Sequence, residues 1–460
     1  MIAKDIIIEV LGKALSTGGD FAEVFLEDTQ RSSLGLVNGQ IETAVSGRDF
    51  GVGIRIFKGL RSIYAYTNDI SKQGLLKTAK DAALALGEIR ENIPVNLIER
   101  VNSNIHSILY VPKGIDIDKK VIKLKEAYSA AKDYSSEIVQ VMSSYGDVDQ
   151  KILIANSDGL FTEDRRIRTR FLVQSIASDG KENQTGYVAP GRSMGFEMFD
   201  EIDAAKCGRG ASRAAVTMLH APLCPSGEMP VAIDNGFGGV IFHEACGHSL
   251  EATSVAKGNS EFSGKLGEKI ASEKVTAIDD GTIPNAWGSI NIDDEGNPAK
   301  KNVLIENGIL KGFMIDRLNG KRMGMAATGN SRRQSYKYAP TSRMTNTYIA
   351  PGDDENDSII SSMAYGLYAK QMGGGSVNPV TGEFNFAVLE GYMVKNGKID
   401  TPVRGATLIG KGSDILFKID MVGKHLDMAA GMCGSISGSV PTNVGQPMIR
   451  VSQITVGGRE

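Results

Sequence analysis

Residues 241–252, IFHEACGHSLEA, carry two histidines and a glutamate in close succession: His243, Glu244 and His248. Imidazoles flanking a carboxylate are the ingredients of a metal-dependent hydrolase, in which the histidines hold the ion and the carboxylate moves a proton. The H-E-x-x-H helix of zinc peptidases spaces its histidines four apart. Here they are five apart. On a regular helix that spacing rotates the side chains apart by about 140°, against about 40° for a spacing of four. Two geometries could repair the mismatch. A π-type turn, closed by an i→i+5 bond, brings such residues into line. Alternatively the helix ends near Gly247 and His248 enters from the following turn. The π-type distortion is the expectation, because Gly247 eases local deformation and HSLEA could continue the helix beyond it.

The motif follows an apolar run, GGVI, which itself follows a strand-like segment, MPVAID, broken by Asn235-Gly236. An apolar helix in that position is expected to be buried. Burying two histidines and a glutamate costs free energy unless each is paired or coordinated. The chain holds only five histidines, His106, His220, His243, His248 and His425, and two of them flank Glu244. One such histidine alone would read as a hydrogen-bonded core residue; the pair favours a metal. Glu244 then reads as the general acid–base group, with a plain salt-bridge role as its alternative. Two histidines leave a catalytic zinc one protein ligand short. Glu251, Cys246, Asp279, Asp280, His425 and Cys433 are all candidates for the third position, and composition does not choose among them.

Other metal chemistries compete. Two histidines, a cysteine and Met428 or Met432 could make a blue-copper site, and a closed structural site is a further option. Neither gives Glu244 a role.

The elements that must position these residues can be read around them. MIAKDIIIEVLGKALSTGG reads as an amphipathic helix ending at Gly18-Gly19, with acidic interruptions that do not fit a signal peptide. DFAEVFLED, SSLGLVNGQIETAVS and DFGVGIRIFKGLRSIYAYTND read as a strand meander, with Asn38-Gly39 a strong hairpin turn and Lys58-Gly59 a weaker one. SKQGLLKTAKDAALALGEI has helical periodicity. A similar order recurs: a helix in DIDKKVIKLKEAYSAAKDYS, paired strands over 137–180, and a helix in DEIDAAKCGRGASRAAVTMLHA. The expected fold is therefore α+β, with two repeated helix/strand-meander units, 1–105 and 106–222, followed by a mixed α/β catalytic domain, 223–460. PLCPSG reads as the linker into this last region, which has NG turns at Asn307-Gly308 and Asn396-Gly397.

The 460 residues are 41% apolar and 23% charged, with a formal net charge of −3, an ordinary balance for a globular protein. That balance argues against nucleic acid as the primary partner. The basic runs EDRRIRTR (163–170) and SRRQSYKY (331–338) are each explained by a solvated strand or loop. No apolar run approaches membrane-spanning length. Four scattered cysteines suggest free thiols in a reducing, cytoplasmic setting.

Several separated stretches, in order, resemble the TldD/PmbA (TldD/TldE) family of zinc metalloproteases: GGVIFHEACGHSLEA, VTAIDDGTIPNAWGSINIDDEGNP, GNSRRQSYKYAPTSRMTNTYIAPG, GGGSVNPVTGEFNFAVLEGYMVKNGKI and GMCGSISGSVPTNVGQPMIRVSQITVGG. The resemblance implies Zn2+ held by His243, His248 and Cys433, with Glu244 as catalytic acid–base. It implies an active, TldD-type subunit acting on peptides or unfolded polypeptide, in peptide maturation or degradation. It also implies a homodimer, or a heterodimer with a TldE/PmbA-type subunit. The alternative is a non-catalytic metal-binding partner subunit or regulator. Arg343 and Tyr338 could bind a substrate carboxylate or the oxyanion. Gly374 and Gly375, within GGGS, could present a sheet edge to an extended peptide.

Overall fold

The first helix spans Lys4–Leu15 because Ile7, Val10, Leu11, Ala14 and Leu15 recur on one face, and all five are buried. Each large apolar side chain so buried contributes ~1.5–3 kcal/mol relative to exposure. The chain then runs into two strands, Phe21–Val37 and Gln40–Lys58, joined at Asn38-Gly39. Both turn residues have positive φ, 45° and 85°. This is the backbone that Asn and Gly adopt most readily and that matches the strand twist. The computed structural model describes residues 2–87, 93–378 and 381–458. The helix expected over 71–89 is observed over Lys72–Leu84, capped by the Ser71 side chain on the Gly74 N–H; residues 88 and 89 lie outside the described residues.

The two expected meanders form one sheet. The strand Phe21–Val37 pairs antiparallel with Ile138–Asn156 along most of its length, from Glu23↔Asn156 to Val37↔Met142. Ile138–Asn156 pairs in turn with Leu160–Ser178. Eight strands share this sheet, so pairing crosses the 105/106 boundary drawn from the sequence. The physical reason is that each meander leaves an edge of unpaired backbone groups, and joining the two removes both edges. Two helix pairs back the sheet at different positions along the same long strands. Leu11 and Leu75 pack with Val24 and Ile54 in one core, while Leu124 and Ala211 pack with Leu36 and Phe171 in the other.

The segment 222–227 is tied to the C-terminal half: the Cys224 N–H donates to Arg404 O, and Cys224 is buried. Besides the short pair Ser331–Arg332/Thr341–Ser342, that half contains two larger sheets among the described residues. In one, Tyr365–Val377, Gly227–Ile233, Ile449–Gly457, Thr407–Lys411 and Glu383–Lys395 pair in succession, and the last pairs back to the first, closing a ring. The other is six-stranded and ends on the hairpin Asp427–Ser435/Gly438–Gln446. The NG turns expected at 307–308 and 396–397 are present, each with positive φ at both residues.

The two basic runs depart from expectation. Arg166, Arg168, Arg332 and Arg333 are buried where the N-terminal sheet meets the C-terminal half. Arg166, Arg168 and Arg170 alternate along the strand Leu160–Ser178, so one face of it carries all three inward, while Arg165 on the other face pairs with Asp149 near the surface. Interlocking ion pairs bind the junction: Arg55–Glu295 at 2.6 Å, Arg333–Glu23 at 2.7 Å and Arg166–Asp294 at 2.7 Å. Among the described residues no helix is long and apolar enough to cross a membrane.

Candidate metal centre

The strand Gly227–Ile233 delivers the chain to Gly236, whose φ of 68° turns it into the motif segment. Val240–Phe242 is α-helical and His243–Gly247 is a π-helical turn. The turn is closed by the His248 N–H donating to His243 O, the i→i+5 bond that the five-residue spacing requires. Val240, Ile241, Phe242, Ala245 and Cys246 anchor it in the core beneath. Two glycines let the surroundings approach. A Cβ on Gly247 would lie 2.5 Å from Met344 Sδ, and one on Gly412 would lie 2.3 Å from Ala245 O. The helix does not continue through HSLEA. His248–Leu250 tightens to a 3-10 turn, and Glu251 is extended, with ψ of 129°. This break re-aims the Glu251 carboxylate toward His248.

With the π-turn in place, both imidazoles converge on one sulfur. Cys433 Sγ lies 3.2 Å from His243 Nε2 and 3.3 Å from His248 Nε2, and the rings stand nearly perpendicular, at 83°. The three donor atoms lie within 4.8 Å of one another, and no other such group of three His, Cys, Asp or Glu side chains occurs among the described residues. Cys433 reaches the motif from the edge strand Asp427–Ser435, in register with Val440. Burial pushes the Cys433 thiol up, but the two adjacent histidines outweigh it and hold the sulfur down at about 4. Burial likewise works against a charge on His248, yet the Glu251 carboxylate and the Cys433 sulfur raise its pKa well above the usual value.

Glu244 follows His243 and keeps its carboxylate one-third exposed, 3.6 Å from His248 Nε2. It is the motif's open side, and exposed Ser435 and Ile436 flank the Cys433 hairpin turn. Glu251 Oε2 lies 3.3 Å from His248 Nδ1, on the ring nitrogen facing away from the sulfur. The remaining third-ligand candidates lie elsewhere. Cys246 Sγ faces Gly412 O, and Asp279 accepts bonds from Thr345, Thr347 and Asn330. Asp280 bonds Thr282, and His425 is exposed.

Of the side chains expected to meet substrate, Arg343 is fully buried. Its Nη1 donates to Ser437 Oγ at 3.0 Å and Gly438 O at 2.7 Å, its Nη2 to Cys433 O, and its Nε lies 3.8 Å from Glu251 Oε1. Tyr338 is half-buried, and its N–H closes a turn onto Ser335 O. Gly374 and Gly375 are exposed at the end of the strand Tyr365–Val377, where Gly375 pairs with Phe386. Glu251, a candidate third ligand, and Arg343, a candidate substrate contact, face each other. Both stand beside the His243–His248–Cys433 cluster, a relation with no local signal in the sequence.

The donor set suits zinc. Nitrogen and sulfur ligands at about 2.1 and 2.3 Å from a tetrahedral ion stand roughly 3.6 Å apart. The observed 3.2 and 3.3 Å need only a few tenths of an ångström of spreading, within a buried pocket whose thiol is already poised to ionise.

Three family profiles match the chain: PmbA/TldA metallopeptidase domain 1 over residues 22–86, the central domain over 110–219, and the C-terminal domain over 226–458. A metalloprotease TldD homolog of Haemophilus influenzae is 36% identical over 452 residues, covering 95% of this chain and 93% of its own. A metalloprotease of Methanothermobacter thermautotrophicus is 32% identical, covering 95% and 96%. A zinc metalloprotease TldD homolog of Saccharolobus solfataricus is 29% identical, covering 84% and 80%. Among solved structures, TldE from Thermococcus kodakarensis superimposes with a TM-score of 0.78 at 20% identity, covering 98% of this chain and 100% of that one, a likeness of fold.

Proposed function

Because the chain belongs to the PmbA/TldA metallopeptidase family, we propose that it is a zinc-dependent peptidase whose ion is held by His243, His248 and Cys433, with Glu244 as the proton carrier. The observation that carries the reading is the convergence of both Nε2 atoms on Cys433 Sγ beside a partly exposed glutamate. Zinc bound there would supply a Lewis acid for the scissile carbonyl and a source of nucleophilic hydroxide near neutral pH.

The chain's own residues supply the rest. Glu244 accepts the proton of the attacking water and delivers it to the departing amine nitrogen. Its partial exposure leaves the carboxylate free to act as a base while keeping it within reach of the histidines. Glu251 orients the His248 ring through Nδ1, and Arg343 donates to the carbonyl of Cys433 and lies within ion-pair distance of Glu251.

The substrate class in this proposal is peptide or unfolded polypeptide, cleaved in maturation or degradation. The assembly is a homodimer or a heterodimer with a TldE/PmbA-type subunit, and the setting is the cytoplasm. All four cysteines are free thiols, and a thiol ligand of this kind must be kept reduced. The test is to incubate the zinc-loaded chain with several unstructured peptides and read the products by mass spectrometry. Cleavage by the wild type that is lost in Glu244→Gln, with zinc retained, supports the proposal; no cleavage, or equal cleavage by the variant, overturns it.

A further inference from the structure

The inward-facing arginines outnumber the carboxylates, Asp164, Asp294 and Glu23, that pair directly with them at this junction. A cavity of about 380 Å³ opens between the strand Leu160–Ser178 and the hairpin that carries Cys433. Its lining includes Arg168, Arg332, Arg170 and exposed Arg31, and a single acid, Asp294. Asp294 is already engaged, with one oxygen 2.7 Å from Arg166 Nη1 and the other accepting the Arg333 N–H at 2.7 Å. Arg333 is matched separately by Glu23.

Arg168 and Arg332 have no such partner. Arg168 is only 5% exposed and Arg332 3%, yet neither has a carboxylate within 4.0 Å among the described residues. Arg168 Nε donates to Trp287 O at 3.3 Å, and Arg332 Nη1 donates to Met344 O at 2.5 Å. Burial first, then the nearness of Arg166 and Arg332, presses Arg168 down to about 9, against the weaker opposing pull of Asp294 and Asp164. A guanidinium does not shed its proton readily. Relief therefore comes from an anion, and the planar fork suits a carboxylate.

We propose that this cavity is a carboxylate-binding subsite for the peptide, seated on Arg168 and Arg332 and placed against the Cys433 hairpin. The inference rests on the peptidase reading for the identity of the ligand. Three features favour a peptide carboxylate over a small inorganic anion. Apolar Val148, Trp287 and Val440 share the lining with the guanidiniums. The volume accommodates a terminal residue and its side chain. Val440 is the cross-strand partner of Cys433, so the subsite and the proposed metal ligand are built on one hairpin.

The experiment is calorimetric titration of the full-length chain, without added metal, with N-acetylated unstructured peptides lacking Asp and Glu. The peptides end either in a free leucine carboxylate or in its amide, and peptide integrity is checked by mass spectrometry. The free acid should bind about tenfold or more tighter than the amide. Arg168→Gln should abolish that preference, and Arg168→Lys should restore it only in part. Arg31→Gln, at an exposed position, should reduce it and serves as the deciding variant if Arg168→Gln does not fold. An amidated peptide with one internal glutamate distinguishes the sources: recovered affinity assigns the subsite to acidic side chains as well, and no recovery assigns it to the chain terminus. Equal binding of acid and amide by the wild type, or a preference undiminished in Arg168→Gln, or in Arg31→Gln where Arg168→Gln does not fold, overturns the proposal. Cleavage does not enter this readout, so its absence in the zinc-loaded assay would count against the peptidase reading alone.

Discussion

Glu251 stands between His248 and Arg343, one carboxylate oxygen 3.3 Å from the imidazole Nδ1 and the other 3.8 Å from the guanidinium Nε. Arg343 in turn holds the carbonyl of Cys433. Two of the three proposed ligands, 185 positions apart in the chain, are thus braced through one buried arginine. Such outer partners typically contribute about 10–100-fold to metal affinity. Glu251→Gln is expected to keep the zinc–sulfur bond but weaken zinc binding by that order in chelator competition. Arg343→Lys, which loses the fork, should do the same. Unchanged affinity in both variants would show that the brace has no bearing on the metal.

For the proton carrier, Glu244→Gln should retain the fold and bound zinc while peptide hydrolysis falls about 10²–10⁴-fold. The check pairs a metal assay with initial rates on the same preparation. Near-normal turnover would remove Glu244 from the mechanism.

The sulfur ligand is open to a direct measurement. X-ray absorption on the zinc-loaded chain should show one sulfur shell at about 2.3 Å alongside lighter ligands at about 2.0–2.2 Å. Cys433→Ser should erase that shell and sharply weaken binding, and Cys246→Ser should leave it. Cys246 faces Gly412 O instead, and its thiol is pushed well up by burial.

Gly412 lies outside the motif, yet a Cβ there would meet Ala245 O at 2.3 Å, a backbone atom of the π-turn. Gly412→Ala should therefore displace the turn and destabilise the protein by about 1–3 kcal/mol. Thermal melting and zinc affinity should fall together. A variant with lowered Tm but wild-type zinc affinity would mean that the ligands do not depend on the π geometry.

Strong acid should weaken one ion-paired contact between the halves. Burial pushes Glu390 up, but Arg213, Tyr392 and Lys370 more than reverse it and hold the carboxyl down at about 2. Arg213 comes from the helix Ala204–Leu219 and Lys370 from the ring sheet, so Glu390 joins the two halves. A depressed folded pKa gives stability that is full above the ordinary carboxylate value of 4.5 and is lost as pH falls toward about 2. Because Arg213 is partly exposed, the contribution is discounted to on the order of 1–2 kcal/mol. The Tm gap between wild type and Glu390→Gln should be open at neutral pH and shrink below about pH 4.5. A gap independent of pH would point to packing rather than charge.

Local chemistry in the sequence was enough for several N-terminal elements and for the winding of the motif segment. Helical spacing at Ile7, Val10, Leu11 and Ala14 placed the first helix, and Asn38-Gly39 placed its hairpin, because these preferences act over a few residues. The five-residue gap between His243 and His248 favours a π-turn over a helix that ends near Gly247, and the π-turn is what the chain adopts. What the fold alone decided involves partners distant in sequence. By residue type alone Glu251 and Cys433 were both open as the third ligand, and only the family resemblance pointed to Cys433. An extended residue at position 251 and the register of a hairpin near the C-terminus set one against Nδ1 and the other against both Nε2 atoms. The basic runs looked solvated because charge implies water only while a strand has a free face. Here the sheet lays that face against the C-terminal half, and the same alternation that seemed ordinary turns Arg168 into a buried cation beside the Cys433 hairpin.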